Sequence, residues 1–275
     1  MLYTPYSDIN RLLESFLCHV QQIFQEKLVG LYLYGSLTTG DFDLDISDID
    51  LLAVTSSQIT SAEFDALRTM HGDFAHENPE WEDRIDVVYL PAAALKAFRS
   101  EKDLIIISPG EPFHMRKGEA LRDWLQNWYI LRESGLALFG PPPKTVIPSI
   151  TRDEFAKAIR RYVAEVSRWV ERERNRKSQA YAILTLCRAL HMHKIGKQVS
   201  KRQAALWAQE EFPQWSTLIQ SAFVWRRVWR DEDVDHTATY AETMQFVKFV
   251  NDQILAQSTN SHLGENDPLL KEEAD

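Results

Sequence analysis

The chain has 275 residues, 44% of them hydrophobic and 26% charged, with a formal net charge of −9. This is enough apolar material to bury a normal core in one large or two modest domains. The acidic balance and the absence of a long basic run argue against a nucleic-acid surface, which needs clustered Lys and Arg.

No apolar run reaches the roughly 20 residues of a membrane span. The start, MLYTPYSDINRLL, lacks the basic opening and unbroken apolar core of a signal peptide. Cys18 and Cys187 lie far apart on apolar helical patterns, so both are expected as packed free thiols in a reducing compartment. The expectation is a cytoplasmic protein without nucleic-acid or membrane partners. Its acidity suits a cationic small-molecule substrate.

Taken in order, Ser7 is placed to cap a helix over about 8–27, with Ile9, Leu12, Leu13, Phe16, Leu17, Val20 and Ile23 on one stripe. Leu31 to Tyr34 reads as a buried strand and runs straight into Gly35-Ser36. An Asp-rich turn carrying Asp41, Asp43 and Asp45 follows and reads as a solvated loop. Asp48 and Asp50 then alternate with Ile49 and lead into a second apolar strand, Leu51 to Val54.

Alternate residues on a strand share a face, so Asp48 and Asp50 set two carboxylates side by side at the mouth of a buried strand. Their repulsion is relieved by a divalent cation. Oxygen-only ligands suit Mg²⁺, with phosphate oxygens completing its shell. Gly35 lets backbone approach a ligand closely, and Ser36 offers a hydroxyl to a phosphate. The alternative is a plain acidic turn between two strands.

Thr60 and Glu63 have capping-box spacing and predict a helix to about His71. The next strand is Arg84 to Leu90, and Asp86 is the one acid inside it. An acid is a poor strand residue and costs several kcal/mol when buried alone. It therefore pairs with Arg84 or Lys96, or it binds a metal. Leu104 to Ile107 reads as a short strand and Arg122 to Arg132 as a helix. Leu136 to Phe139 is apolar, and Gly140 with Pro141, Pro142 and Pro143 ends regular structure. The domain boundary is placed near Pro148.

The second half shows helical patterns only. Thr151 and Glu154 open one helix. Others are expected from Ser178 to about Lys194, from Ser200 to about Glu211, from Trp215 to Trp229 and from Tyr240 to Ile254. Five helices with short connections make a bundle. The polar, acidic end, 258–275, is expected to be disordered.

Arg188 sits in the otherwise apolar stretch Tyr181 to Leu190, where a guanidinium must find an anion or reach solvent. Lys201 falls in the first turn of its helix, where the macrodipole disfavours a cation unless an anion lies beside it. His191 and His193, two apart, do not share a helix face and make poor metal ligands.

A strand, Gly35-Ser36, and Asp48-x-Asp50 on the next strand resemble the nucleotidyltransferase superfamily of DNA polymerase β. LYGS followed by SDIDLL, the WYILRE helix with GPPP after it, and LTLCR followed by Ser200-Lys201 resemble the aminoglycoside adenylyltransferases that modify streptomycin and spectinomycin. The resemblance covers nearly the whole chain in four patches.

It implies an α+β protein: an N-terminal mixed-sheet nucleotidyltransferase domain (1–148), then an all-helical bundle (149–257). It implies Mg²⁺, ATP as co-substrate, and transfer of AMP to an antibiotic hydroxyl with release of pyrophosphate. Asp86 matches the third carboxylate of the superfamily, completing a metal set of Asp48, Asp50 and Asp86. In the aminoglycoside group that acid is Glu and serves as general base; Asp86 is one methylene shorter. Arg188 and Lys201 match residues that contact the nucleotide's phosphates, the nucleotide lying between the domains. Trp225 falls where relatives place an aromatic residue near it, although a core Trp reads equally well. A nucleotidyltransferase for a protein or another metabolite, or a catalytically silent antitoxin-like module, are the alternatives.

Overall fold

The computed structural model describes residues 3–96, 104–107, 114–116, 124–228, 235 and 237–256. Packing divides the chain into two compact units, Met1–Ala158 and Ile159–Asp275. The division falls inside a long helix that begins just after Pro148. The acidic end, 258–275, lies outside the described residues.

The first unit opens with α1, Ser7–Phe24, whose buried Ile9, Leu12, Leu13, Phe16, Val20 and Phe24 keep the helical period. Ser7 is not its cap. The capping position is Tyr6, without a side-chain bond, and Asn10 does the tethering instead. Its Oδ1 accepts from the Thr4 amide at 2.9 Å and its Nδ2 donates to the Thr4 carbonyl at 2.8 Å. Cys18 is exposed, against the expectation that it is packed; Cys187 is buried, and both are free. Cys18 falls outside the buried stripe of α1.

Six strands form one mixed sheet: β1 Leu28–Tyr34, β2 Ile49–Thr55, β3 Ile85–Pro91, β4 Leu104–Ile107, β5 His114–Arg116 and β6 Leu136–Phe139. Their order is β5-β4-β3-β2-β1-β6. Only β2 and β3 run parallel. A parallel pair needs a crossover, and α2, Ser61–Glu77, supplies it. Thr60 and Glu63 form the expected capping box, with both reciprocal bonds present. The helix runs past His71 because Phe74 continues its buried stripe.

Leu31 and Leu33, Ile49, Leu51 and Ala53, and Ile85, Val87 and Tyr89 share one face of the sheet and pack with α1 and α2. The alternating residues Tyr32, Leu52, Val54, Val88 and Leu90 are also buried, on the opposite face. Helix α3, Leu125–Ser134, packs against β1 and buries Trp128 and Leu131. The apolar stretch after it becomes the edge strand β6, beside β1.

The second unit is helical, holding the greater part of α4 (Arg152–Arg172) with α5 Arg176–Ile195, α6 Lys201–Glu211, α7 Ser216–Val228 and α8 Tyr240–Ala256. α5 is the central helix and packs on α6, α7 and α8. That is why it is apolar nearly all round. It starts earlier than Ser178, because the Asn175 side chain caps it by accepting from the Ser178 amide. Ser200 and Gln203 form a complete capping box for α6, as expected. Among the described residues no helix is long and apolar enough to cross a membrane.

Candidate active site

Strand register builds the acidic cluster. Tyr34 on β1 pairs with Asp50 on β2, and Asp50 pairs with Asp86 on β3. Directly paired residues point to the same side of a sheet, so the three side chains form one row. They lie on the face away from α1 and α2, because their neighbours Ile49, Leu51, Ile85 and Val87 take the opposite one. Asp50 and Asp86 are half-buried; Asp48, one residue before β2, is exposed. The Tyr34 hydroxyl is pushed well above its ordinary value, first by burial and then by the Asp50 and Asp86 carboxylates.

Gly35 ends β1 with φ 76° and ψ −144°, a conformation that disfavours any side chain. A Cβ there would lie 1.9 Å from Asp50 Oδ2. The Gly35 carbonyl turns into the one-turn helix Ser36–Thr39. It accepts from the Thr38 and Thr39 amides at 3.2 Å and from both threonine hydroxyls at 3.1 Å. The Gly-Ser corner is therefore a fixed turn against the Asp50 carboxylate.

The turn between Gly40 and β2 is anchored by Arg84, the residue just before β3. Arg84 donates from Nε and Nη2 to the Ser47 carbonyl at 3.1 and 2.6 Å, and from Nη2 to the Leu44 carbonyl at 2.7 Å. Its guanidinium lies 4.3 Å over the Trp81 ring. Ser47 is buried and its hydroxyl accepts from the Asp43 amide at 3.0 Å. The acidic loop is thus held in place directly upstream of Asp48.

Among the described residues no three His, Cys, Asp or Glu side chains are already gathered around one metal position. The site has a cross-strand carboxylate pair, Asp50 and Asp86, with the exposed Asp48 two residues ahead of Asp50 in the chain. This fits Mg²⁺, which keeps waters and takes one or two protein carboxylates together with substrate phosphates.

In the helical unit, Tyr181 and Arg188 are seven residues apart on α5 and share a face about 10 Å apart. Arg188 is half-buried. Lys201 opens α6 and places Nζ 4.1 Å over the Tyr181 ring. The Tyr181 hydroxyl lies 3.1 Å from that of Tyr162, and Trp169 meets Tyr181 edge-on. Trp225 is 9% exposed, with the Arg176 guanidinium 4.3 Å over its ring. His191 is buried, within 2.9 Å of the Lys197 carbonyl through Nδ1 and edge-on to Trp207.

Two groups escaped the sequence reading. Arg84 was considered only as a partner for Asp86; its position two residues ahead was the one signal. Tyr181 passed as part of an apolar helix, though a ring on an exposed face beside a cationic helix start could have drawn notice.

Residues 13–109 match the family described as nucleotidyltransferase domain, and residues 145–253 match the aminoglycoside adenylyltransferase C-terminal domain. The chain is an aminoglycoside adenylyltransferase-like nucleotidyltransferase. It is similar to the spectinomycin 9-adenylyltransferases of Staphylococcus aureus strains Mu50 and N315. Each is 24% identical over 257 residues, spanning 86% of this chain and 91% of the relative. Its fold is also that of a spectinomycin adenyltransferase from Enterococcus faecialis solved with ATP and spectinomycin. That match has a TM-score of 0.69 at 15% identity and spans 90% of this chain and 99% of the other.

Proposed function

We propose that this enzyme transfers AMP from ATP to a hydroxyl of an aminoglycoside-type antibiotic of the streptomycin and spectinomycin class, using Mg²⁺ and releasing pyrophosphate. The observation that carries the reading is the cross-strand pairing of Asp50 with Asp86 beside Gly35. It occurs in a chain whose two halves match these two families.

Asp48, Asp50 and Asp86 are the oxygen donors available for Mg²⁺, with triphosphate oxygens completing the shell. Held by these carboxylates, Mg²⁺ would supply positive charge to polarise the α-phosphate and offset charge on the leaving pyrophosphate. The acceptor oxygen forms a bond to the α-phosphorus in line with the bond that breaks to pyrophosphate. The acceptor's proton passes to the Asp86 carboxylate. The tight Gly35-Ser36 turn receives a phosphate. Arg188 and Lys201 neutralise the triphosphate, and Trp225 borders the base.

The test is mass spectrometry of an antibiotic panel after incubation with enzyme, ATP and Mg²⁺. A mass gain of one AMP on spectinomycin or streptomycin, lost in Asp48→Asn, is expected. No modified drug with the wild-type enzyme would point to a different acceptor. Full activity in Asp48→Asn would overturn the site.

A further inference from the structure

We propose that Arg84 is a positioning residue for the acidic site, acting on Asp48 through the Ser47 carbonyl; this rests on the nucleotidyl-transfer reading above. The Ser47 carbonyl and the Asp48 amide belong to one rigid peptide plane. Arg84 donates twice to that oxygen, at 3.1 and 2.6 Å, and once to the Leu44 carbonyl at 2.7 Å. The Arg84 backbone carbonyl accepts from the Ile49 amide at 2.8 Å. One residue therefore brackets Asp48: its side chain holds the peptide before it, and its main chain holds the amide after it.

The bracket matters because Asp48 is treated differently from its partners. Asp50 and Asp86 are set by strand pairing, whereas Asp48 precedes the strand and is exposed. Mg²⁺ demands near-octahedral geometry, so a third carboxylate helps only when its angle of approach is fixed. The loop behind it is a local turn, with the Ser47 amide donating to the Asp43 carbonyl at 2.9 Å and the Asp45 amide to Asp43 Oδ1 at 3.1 Å. These bonds shape the loop, and Arg84 ties it to β3. Trp81, itself 9% exposed, fixes the plane of the guanidinium from below. A lysine cannot reproduce this fork, because a single ammonium lacks the planar spread of donors.

The experiment compares wild type, Arg84→Lys and Arg84→Gln in the intact chain, with two readouts. Outer residues that orient metal ligands typically change metal affinity about 10- to 100-fold when removed. The Mg²⁺ concentration for half-maximal AMP transfer should accordingly rise about tenfold, with most turnover restored at saturating Mg²⁺. Without metal or nucleotide, amide exchange at 46–49 should quicken while α1 and α2 keep wild-type protection.

Wild-type exchange at 46–49, or an unchanged Mg²⁺ midpoint with activity falling only as the folded fraction falls, would overturn the proposal. Should Arg84→Gln unfold, Trp81→Leu, which removes the stacking surface and leaves the hydrogen-bonding groups of Arg84, Ser47, Leu44 and Ile49, must show both changes at smaller amplitude. If Asp48→Asn keeps full activity, the nucleotidyl-transfer site itself is wrong, and the metal-free exchange comparison still decides whether Arg84 holds this loop.

Discussion

Gly35 and Asp50 are in direct contact: a Cβ on Gly35 would stand 1.9 Å from the Asp50 Oδ2 atom. The glycine also has φ 76°, so two independent constraints exclude a side chain at the start of the Gly35-Ser36 turn. Gly35→Ala must shift the turn or the carboxylate. A misplacement of about 1 Å at reacting groups costs about 100-fold in rate, and left-handed backbone for a non-glycine residue costs about 1–3 kcal/mol. Gly35→Ala is expected to lose turnover by that order while still folding. Steady-state kinetics beside a thermal melt separates the two effects. Wild-type turnover would show that the turn tolerates a methyl group and is not tightly held.

The in-register pair Asp50 and Asp86 places like charges side by side on adjacent strands, and such repulsion destabilises a sheet. In metal-free protein, Asp86→Asn should therefore melt no lower than wild type, although it abolishes AMP transfer. Asp86→Glu, which restores the length of the acid in the aminoglycoside group, should keep activity. Calorimetry in the presence of a chelator gives the first comparison and product mass spectrometry the second. A strongly destabilised Asp86→Asn would mean that this acid is structural.

Arg188 and Lys201 are expected to act on ATP binding rather than on the acceptor. Hydrogen bonds to charged groups contribute about 1.5–3 kcal/mol, or roughly 10- to 100-fold in an equilibrium. Arg188→Ala and Lys201→Ala should raise the KM for ATP on that scale and leave the KM for the antibiotic nearly unchanged. Lys201 also rests over the Tyr181 ring. Tyr181→Leu should shift the ATP KM less than Lys201→Ala, since exposed cation–π contacts are worth only about 0.5–1 kcal/mol. Equal KM changes for both substrates would remove these residues from the nucleotide.

His71 sets an acid limit on stability. Burial pulls its pKa down to about 3 from an ordinary 6.5, and its Nε2 lies 2.7 Å from the Tyr89 hydroxyl. The unfolded chain binds a proton at this residue below about pH 6.5 while the folded chain resists it until about pH 3. Unfolded protein thus holds more protons in that window, and stability falls as pH drops through it. Replacing His71 with Gln, which keeps a partner for Tyr89, should flatten the decline in melting temperature between pH 6.5 and 4. An identical acid slope in the variant would show that other groups govern it.

Much of the architecture was legible because it depends on local pattern. The capping boxes at Thr60 and Ser200 marked true helix starts, since each is closed by residues three apart. The strands carrying Asp50 and Asp86 were readable from their apolar runs. Ser7 misled because Asn10 took over the tethering of α1 from outside the usual capping position. Ser178 misled because Asn175 offered a cap three residues earlier.

By itself, the sequence determined the residue types of the acidic site, the glycine at its corner and the division into a sheet-bearing part and a helical part. These follow from short-range periodicity and from the chemistry of single side chains. Tertiary structure alone decided that Asp50 stands opposite Asp86, because the order of strands and their register depend on pairing between distant segments. It alone decided that Arg84 reaches back to the Ser47 and Leu44 carbonyls across nearly 40 positions of chain. A guanidinium's choice among carboxylate, carbonyl and water depends on which groups packing brings within reach, and no spacing in the sequence encodes that distance.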